Sequence, residues 1–149
     1  MAYSGPEFTP FAQAVAADFA KIGVKVSPTI KEKSVYLSDL LGMKWDINLQ
    51  SLGDATGDAD YVLGRLYTCK AERTGYCNPK LDGLLADAAA KTDPKQRAGL
   101  YAQAEQIIWN DAVGMYPMDV RISYVWRGSV KGFTPSSNYQ PDFSAVSVS

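Results

Sequence analysis

The sequence predicts an α/β fold, with a small mixed sheet flanked by helices. In several segments apolar residues recur at steps of three and four, which is typical of amphipathic helices. In others they alternate with polar residues, which is typical of strands, and the two kinds of segment alternate along the chain. With 149 residues the chain can bury one hydrophobic core but hardly two, so we expect one domain over residues 1–149.

Five segments are predicted to be helical, and capping residues mark the start of two of them. Asn78 is the expected N-cap of the fourth helix, and Asp93 forms a capping box with Gln96 at the start of the fifth. The helices are expected over residues 7–22, 35–41 and 61–67, and from Pro79 and Pro94 onward. The apolar stripes expected on the last two are Leu81, Leu84, Leu85 and Ala88, then Leu100, Ala104, Ile107, Ile108 and Ala112.

Three segments alternate apolar and polar residues and are predicted to be strands. They cover residues 24–30, 45–49 and 115–126. Pro28 restricts the first of them to a sheet edge or a bulge, because proline cannot donate to a ladder. The tail over residues 128–149 is rich in Gly, Pro, Ser and Asn and is expected to cover another surface.

Composition excludes several classes of function. The chain has no histidine, so it cannot build a Ser-His-Asp or Cys-His catalytic pair or an HExxH zinc site. Its net charge is −1, and it has no cluster of Lys and Arg residues of the kind that binds nucleic acid, so we expect no nucleic-acid partner. It lacks the roughly 20 consecutive apolar residues of a membrane span, and its first residues do not form a signal peptide. We expect no metal and no cofactor.

The two cysteines, Cys69 and Cys77, leave two interpretations open. A disulfide between them would close a loop of about nine residues, stabilise the fold by roughly 2.5 kcal/mol, and indicate an oxidising compartment. The alternative is two free, half-buried thiols in a cytosolic protein.

The most polar turn in the chain is the loop over residues 51–60, which carries two glycines and three aspartates. A strand leading into such a loop exposes backbone groups that can pair with a peptide-like ligand, while a nearby carboxylate holds its ammonium group. Alternatively, the loop is a solvated turn in which Asp58 or Asp60 caps the next helix. A third interpretation is a hydrolase that draws a carboxylate pair from Asp54, Asp58 and Asp60. A fourth is an interaction module without a small-molecule ligand.

Taken in order, five blocks of the sequence resemble the carboxy-terminal part of the extracellular solute-binding proteins of the oligopeptide, dipeptide and nickel class. These are the substrate receptors of ABC importers. The resemblance covers nearly all of the chain, but only about the last third of a typical member. The blocks are AQAVAADFAKIGVKV, KWDINLQSLGDATGDADYVL, GYCNPKLDGLLADAAAKTDPKQRAGLYAQAEQIIWNDAVGMYP, WRGSVKGFTPSSNY and PDFSAVSV.

The resemblance implies a non-catalytic part of a two-lobed receptor that closes on a peptide or a similar oligomeric solute. This chain would be a fragment of the carboxy-terminal lobe, with residues 128–149 returning toward the other lobe. The expected partners are the solute, the missing amino-terminal lobe or another copy of the chain, and the importer's membrane subunits. The expected location is periplasmic or extracellular, membrane-anchored in the full-length protein. Half a cleft cannot enclose a ligand, so we expect the chain alone to bind it weakly or not at all.

The resemblance also places a ligand site at the end of the second predicted strand. Peptide-binding members carry a Trp and an Asp where this chain has Leu52 and Ala55, so Asp54 is the candidate replacement for that Asp. Sugars and other oligomeric solutes therefore stay open as ligands, and the absence of histidine gives the nickel branch no support. The expected ligand-binding residues are Gln50, Ser51, Leu52, Gly53, Asp54, Ala55 and Thr56.

Overall fold

The computed structural model describes residues 1–117, 121, 123–136 and 140–149. The chain divides into two compact units, Met1–Leu52 and Gly53–Ser149. The first contains β1 (Ala2–Tyr3), α1 (Phe8–Lys21), β2 (Ile30–Lys31) and α2 (Lys33–Leu41). The second contains α3 (Ala59–Leu66), a 3-10 turn (Cys69–Ala71), α4 (Pro79–Ala89), α5 (Pro94–Asn110), β3 (Val130–Lys131) and β4 (Ser147–Val148). The α/β class is confirmed, although the fold is rich in helix and its sheets are small.

In the first unit, β1 and β2 pair in parallel, with Ala2 opposite Ile30. The helix predicted over residues 7–22 is confirmed as α1, and Gly23 follows it with a φ of +82°, a conformation that glycine adopts without strain. The short helix predicted over residues 35–41 is confirmed as α2, which starts two residues earlier.

Two strand predictions in the first unit are wrong in extent. Of residues 24–30, only Ile30 enters a strand, and residues 45–49 form none. The main chain of this second segment bonds to Met1, which donates to the Ile47 carbonyl at 2.6 Å and accepts from the Leu49 N–H at 2.8 Å, and to the Tyr36 hydroxyl, which donates to the Leu49 carbonyl at 3.0 Å. The Trp45 indole donates to the Leu40 carbonyl at 3.2 Å, near the end of α2. Alternation is not sufficient to form a ladder, because a ladder needs a partner strand along its whole length.

The second unit is built on the antiparallel helices α4 and α5. Both predicted caps are confirmed, because the Asn78 side chain accepts from the N–H groups of Lys80 and Leu81, and Asp93 accepts from that of Gln96. The helix predicted over residues 61–67 is confirmed as α3, which starts at Ala59 because Asp58 caps it. The buried side chains of the three helices are Leu63, Leu66, Leu81, Leu85, Ala88, Tyr101, Ala104 and Ile108.

The apolar stripes need a few corrections. Leu84, Leu100 and Ile107 are only half-buried. Ala112 lies beyond the end of α5, exposed and with a φ of +50°, because Asp111 already ends the helix. Tyr101 was not among the predicted residues, yet it is buried.

The strand predicted over residues 115–126 is not seen among its described residues, 115–117, 121 and 123–126. Met118 and Ile122, which belong to the predicted pattern, lie outside the described residues. Val125 is 94% exposed, whereas the rings of Tyr124 and Trp126 on either side of it contact Phe133. In the tail, β3 and β4 pair antiparallel, with Val130 opposite Val148. The return of the tail toward another lobe stays a prediction. No helix in the described part of the chain is both long and apolar enough to span a membrane.

Candidate functional site

The seven residues predicted to bind a ligand fall on either side of the division between the two units. Gln50, Ser51 and Leu52 are the last residues of the first unit, and Gly53 to Thr56 are the first of the second. In the first unit, Ser51 is exposed, whereas Gln50 and Leu52 are half-buried. In the second unit, Gly53 and Thr56 are exposed, whereas Asp54 and Ala55 are half-buried.

The carboxylate of Asp54 folds back onto its own loop. Its Oδ1 accepts from the N–H of Thr56 at 2.9 Å, from the Thr56 hydroxyl at 3.1 Å and from the N–H of Gly57 at 2.9 Å. This is the turn that aspartate side chains commonly form with the backbone two residues on. Gly57 has a φ of +73°, so the turn needs the conformational freedom of glycine. These three bonds all reach Oδ1, and the backbone N–H of Asp58 adds to the stabilisation of the charged carboxylate.

Asp58 has both carboxylate oxygens engaged. Oδ1 accepts from the N–H of Asp60 at 2.9 Å and so caps α3. A single nitrogen of Arg97, Nη2, lies 2.7 Å from Oδ1 and 2.5 Å from Oδ2. The interpretation of this part of the loop as an N-cap for the next helix is therefore correct for Asp58.

Arg97 also holds the end of α4. Its Nη1 donates to the carbonyls of Ala88 at 2.9 Å, Lys91 at 3.2 Å and Ala89 at 3.4 Å, groups that the end of a helix leaves without intrahelical partners. Its Nη2 also donates to the Tyr101 hydroxyl at 3.1 Å. One guanidinium therefore joins α5, the last turn of α4 and the cap of α3.

An open cavity of about 260 Å³ lies beside the end of the loop. Its wall contains the Asp58–Arg97 ion pair. The lining residues are Thr56, Asp58, Asp60, Tyr61, Ala89 and Arg97. Thr56 is the only one of these that belongs to the predicted ligand-binding set.

Hydrogen bonding lowers the pKa of both engaged aspartates. The pKa of Asp54 lies below its ordinary value chiefly because the backbone N–H of Thr56 stabilises the charged form, with Gly57 and the Thr56 hydroxyl adding to the effect. The pKa of Asp58 is lowered first by the backbone N–H of Asp60, then by Arg97. Both carboxylates are charged at neutral pH. In the described part of the chain, no group of three His, Cys, Asp or Glu side chains is placed to hold a metal ion.

Cys69 and Cys77 form a disulfide, which decides between the two interpretations of the cysteines. Hydrogen bonds flank the bridge on both sides. The Cys69 N–H donates to the Asp82 carboxylate at 3.1 Å, and the Thr74 hydroxyl donates to the Leu66 carbonyl at 3.0 Å. The bridge fixes the segment between α3 and α4 close to the N-terminus of α4.

Sequence comparison finds bacterial binding proteins. The chain is 29% identical over 142 residues to the probable di/tripeptide-binding protein 5 of Pseudomonas aeruginosa, across 92% of this chain. It is 29% identical over 157 residues to the heme-binding protein A of Haemophilus influenzae, across 97% of this chain. It spans only 27% of the length of either relative. No family model matches the chain.

Structure comparison gives a concordant result. The fold matches a crystal structure of a dipeptide binding protein from Pseudoalteromonas in complex with Met-Leu, with a TM-score of 0.73 and 21% identity. The match covers 100% of this chain and 32% of the other. The resemblance to the solute-binding proteins of the oligopeptide, dipeptide and nickel class is confirmed. The fold is that of part of a periplasmic-binding-protein-like receptor.

Sequence reasoning missed Arg97 as a member of this site. The residue stands in the segment TDPKQR, and the prediction used only the capping pattern at the start of that segment. An arginine one turn inside a capped helix lies close to the end of the preceding antiparallel helix. Its position in the sequence could therefore have predicted its contacts with α4. Its pairing with Asp58, 39 residues away, left no local signal.

Proposed function

We propose that this chain is part of the substrate-binding component of an ABC importer that takes up peptides or similar oligomeric solutes. The observation that carries the proposal is the similarity to a di/tripeptide-binding protein across 92% of the chain, together with the matching fold. Because the chain spans 27% of that relative, it would supply one part of the receptor and not the whole cleft.

The electrostatics of the loop support a binding role over a hydrolytic one. In a carboxylate pair of the glycosidase type, one carboxyl group must keep its proton near neutral pH, which requires a raised pKa. The pKa values of Asp54 and Asp58 are both lowered by the hydrogen bonds they accept. Neither of these two residues can serve as the general acid at neutral pH, and this favours a component that binds its solute without chemical change.

Exposed apolar side chains in the first unit support the proposal that other parts of a receptor cover this chain. Ile22 is 74% exposed, Val35 is 51% exposed and Leu41 is 50% exposed. Within the described residues, the parallel sheet consists of the two strands β1 and β2. Parallel sheets are usually covered on both faces, and their edges pair readily with further strands. We propose that the remaining part of the receptor, or a second copy of the chain, covers these surfaces.

The disulfide supports a location outside the cytoplasm. Disulfides persist in oxidising compartments such as the bacterial periplasm and are rare in the cytosol. The bond between Cys69 and Cys77 therefore fits a periplasmic or extracellular receptor. Membrane anchoring of the complete protein and docking on importer subunits follow from the resemblance and are part of the proposal.

Within the proposed receptor, Asp54 would hold the ammonium group of the solute. Its Oδ1 is occupied by the loop, so the contact would be made by Oδ2, and the lowered pKa keeps the carboxylate charged. Gln50, Ser51, Leu52, Gly53, Ala55 and Thr56 would supply backbone and side-chain contacts around it.

Titration calorimetry with the dipeptide Met-Leu tests the proposal in a receptor that contains this segment. We expect binding, and we expect Asp54→Ala to weaken it by roughly 1.5–3 kcal/mol, the contribution of a hydrogen bond to a charged group. Asp60→Ala removes the same charge from the same loop outside the predicted site and should have a smaller effect. A receptor that binds no peptide refutes the proposed substrate class, and an unchanged affinity in Asp54→Ala removes Asp54 from the site.

A further inference from the structure

The bonds around Arg97 continue without a break into the loop that carries Asp54. Arg97 holds Asp58 through two contacts, and the Asp58 N–H donates to the Thr56 hydroxyl at 3.2 Å. Both the N–H and the hydroxyl of Thr56 donate to Asp54 Oδ1. Each group in this series fixes the next, from a helix in the core of the second unit to the surface turn.

Arg97 is suited to act as a fixed point because its surroundings hold it in place. Only 20% of its side chain is exposed, and its guanidinium donates to the end of α4 and to Tyr101 as well as to Asp58. A planar guanidinium can serve acceptors on several sides at once, whereas a lysine ammonium has the same charge but cannot match that geometry.

We propose that Arg97 is a positioning residue for the Asp54 turn: through Asp58 and Thr56 it sets the orientation in which Asp54 presents its Oδ2 to a solute. This inference rests on the proposed function, since it concerns the same ligand-binding loop. Within the described part of the chain, the hydrogen bonds and the ion pair of Arg97 go to residues outside the predicted ligand-binding set. Its effect on binding would pass through the shape of the loop.

The test uses the 149-residue chain and needs no ligand. The side-chain carboxyl of Asp54 is titrated by NMR in the wild-type chain and in Arg97→Lys, and the exchange rates of the Thr56 and Gly57 amides are measured in both. In Arg97→Lys we expect the pKa of Asp54 to rise toward its ordinary value. We also expect exchange of the two amides to accelerate by about fivefold, as when one hydrogen bond of ~1 kcal/mol is lost. The charge is kept in this variant, so a direct change in charge does not explain the shift.

Arg65→Lys is the matched control. Arg65 lies on α3 and contacts Tyr61 of the same helix, where Nη1 donates to the phenol oxygen at 2.8 Å. This variant makes the same chemical change beside the loop without touching Asp58. We expect the titration of Asp54 and the exchange of both amides to stay as in the wild-type chain.

Asp58→Asn provides a second, independent variant if Arg97→Lys fails to fold. Asparagine is as good an N-cap as aspartate, so α3 keeps its cap while the ion pair with Arg97 is lost. Removing a negative charge near Asp54 would by itself lower the pKa of Asp54. A rise of this pKa in Asp58→Asn therefore reports the loosened turn, because the electrostatic effect has the opposite sign.

The proposal is overturned if Asp54 titrates as in the wild-type chain in a folded Arg97→Lys, or if the Thr56 and Gly57 amides exchange as slowly in a folded Asp58→Asn as in the wild-type chain. Either result would reduce Arg97 to a helix-packing residue. Because the readouts involve no solute, they are independent of the peptide-binding experiment. A receptor that binds no peptide while Asp54 responds to Arg97→Lys would refute the proposed substrate class and leave the positioning role standing.

Discussion

Replacing Cys69 and Cys77 by serine should lower the free energy of unfolding of the second unit by about 2.5 kcal/mol. The two cysteines are 8 residues apart, so the bridge closes a loop of nine residues in the unfolded chain. In the chain-entropy treatment, closing such a loop stabilises the folded state by roughly 2.5 kcal/mol, because the unfolded chain has fewer conformations to lose.

The folded state should change little in the serine variant, which is why the full value is expected. The Cys69 N–H remains bonded to Asp82, and the Thr74 hydroxyl remains bonded to Leu66. These bonds hold the segment in place without the bridge, so the loss arises mainly in the unfolded state.

Urea unfolding followed by helical circular dichroism measures the effect. The wild-type chain under reducing conditions is the control, and it should match the double serine variant to within about 0.5 kcal/mol, the usual effect of a surface substitution. The reasoning is refuted if the double variant is as stable as the oxidised wild-type chain. A large difference between the reduced wild-type chain and the variant would assign the loss to the serine side chains.

Three further predictions concern the second unit. Leu81→Ala should lower the free energy of unfolding by about 3 kcal/mol, because Leu81 is fully buried. Leu84 on the same helix is half-buried, so Leu84→Ala should lower it by less. Urea unfolding measures both effects. Asn78→Ala should lower the free energy of unfolding by about 1 kcal/mol through loss of the α4 cap, and Asn78→Ser, which can cap the helix without placing a second carboxylate beside Asp111, should restore most of it. The lowered pKa of Asp58 adds stability above its ordinary pKa that is lost as the pH falls through the folded value. The difference in the free energy of unfolding between the wild-type chain and Asp58→Asn, measured by urea unfolding at several pH values, should therefore be largest near neutral pH and shrink as the pH falls through the folded pKa of Asp58, and a difference that does not change with pH would contradict this.

The helices could be predicted from the sequence because their determinants are local. The caps at Asn78 and Asp93 are recognised from three or four neighbouring residues, and both are present in the structure. The start of α3 lies two residues before the predicted start, and it too is set by a local cap. Asp58 caps that helix, and the sequence left open whether Asp58 or Asp60 would do so.

The strands could not be predicted to the same extent, because a strand is defined by its partner. Residues 24–30 and 45–49 both alternate well, yet only Ile30 and Lys31 find a partner, in β1. Alternation of apolar and polar residues indicates which side chains could share a face of a sheet, but it does not indicate how long a neighbouring strand will be. The pairing of Val130 with Val148 across the tail was likewise not foreseen.

The structure ranks the aspartates that the sequence left equivalent as ligand contacts. Asp58 has both oxygens committed to Asp60 and Arg97, so a solute could bind it only by displacing a half-buried arginine. The three hydrogen bonds that Asp54 accepts from Thr56 and Gly57 all reach one oxygen, Oδ1. A cationic solute that binds Asp54 would therefore displace fewer hydrogen bonds within the protein than one that binds Asp58. The same hydrogen bonds that orient Asp54 also keep it charged, which is the form that an ammonium group requires.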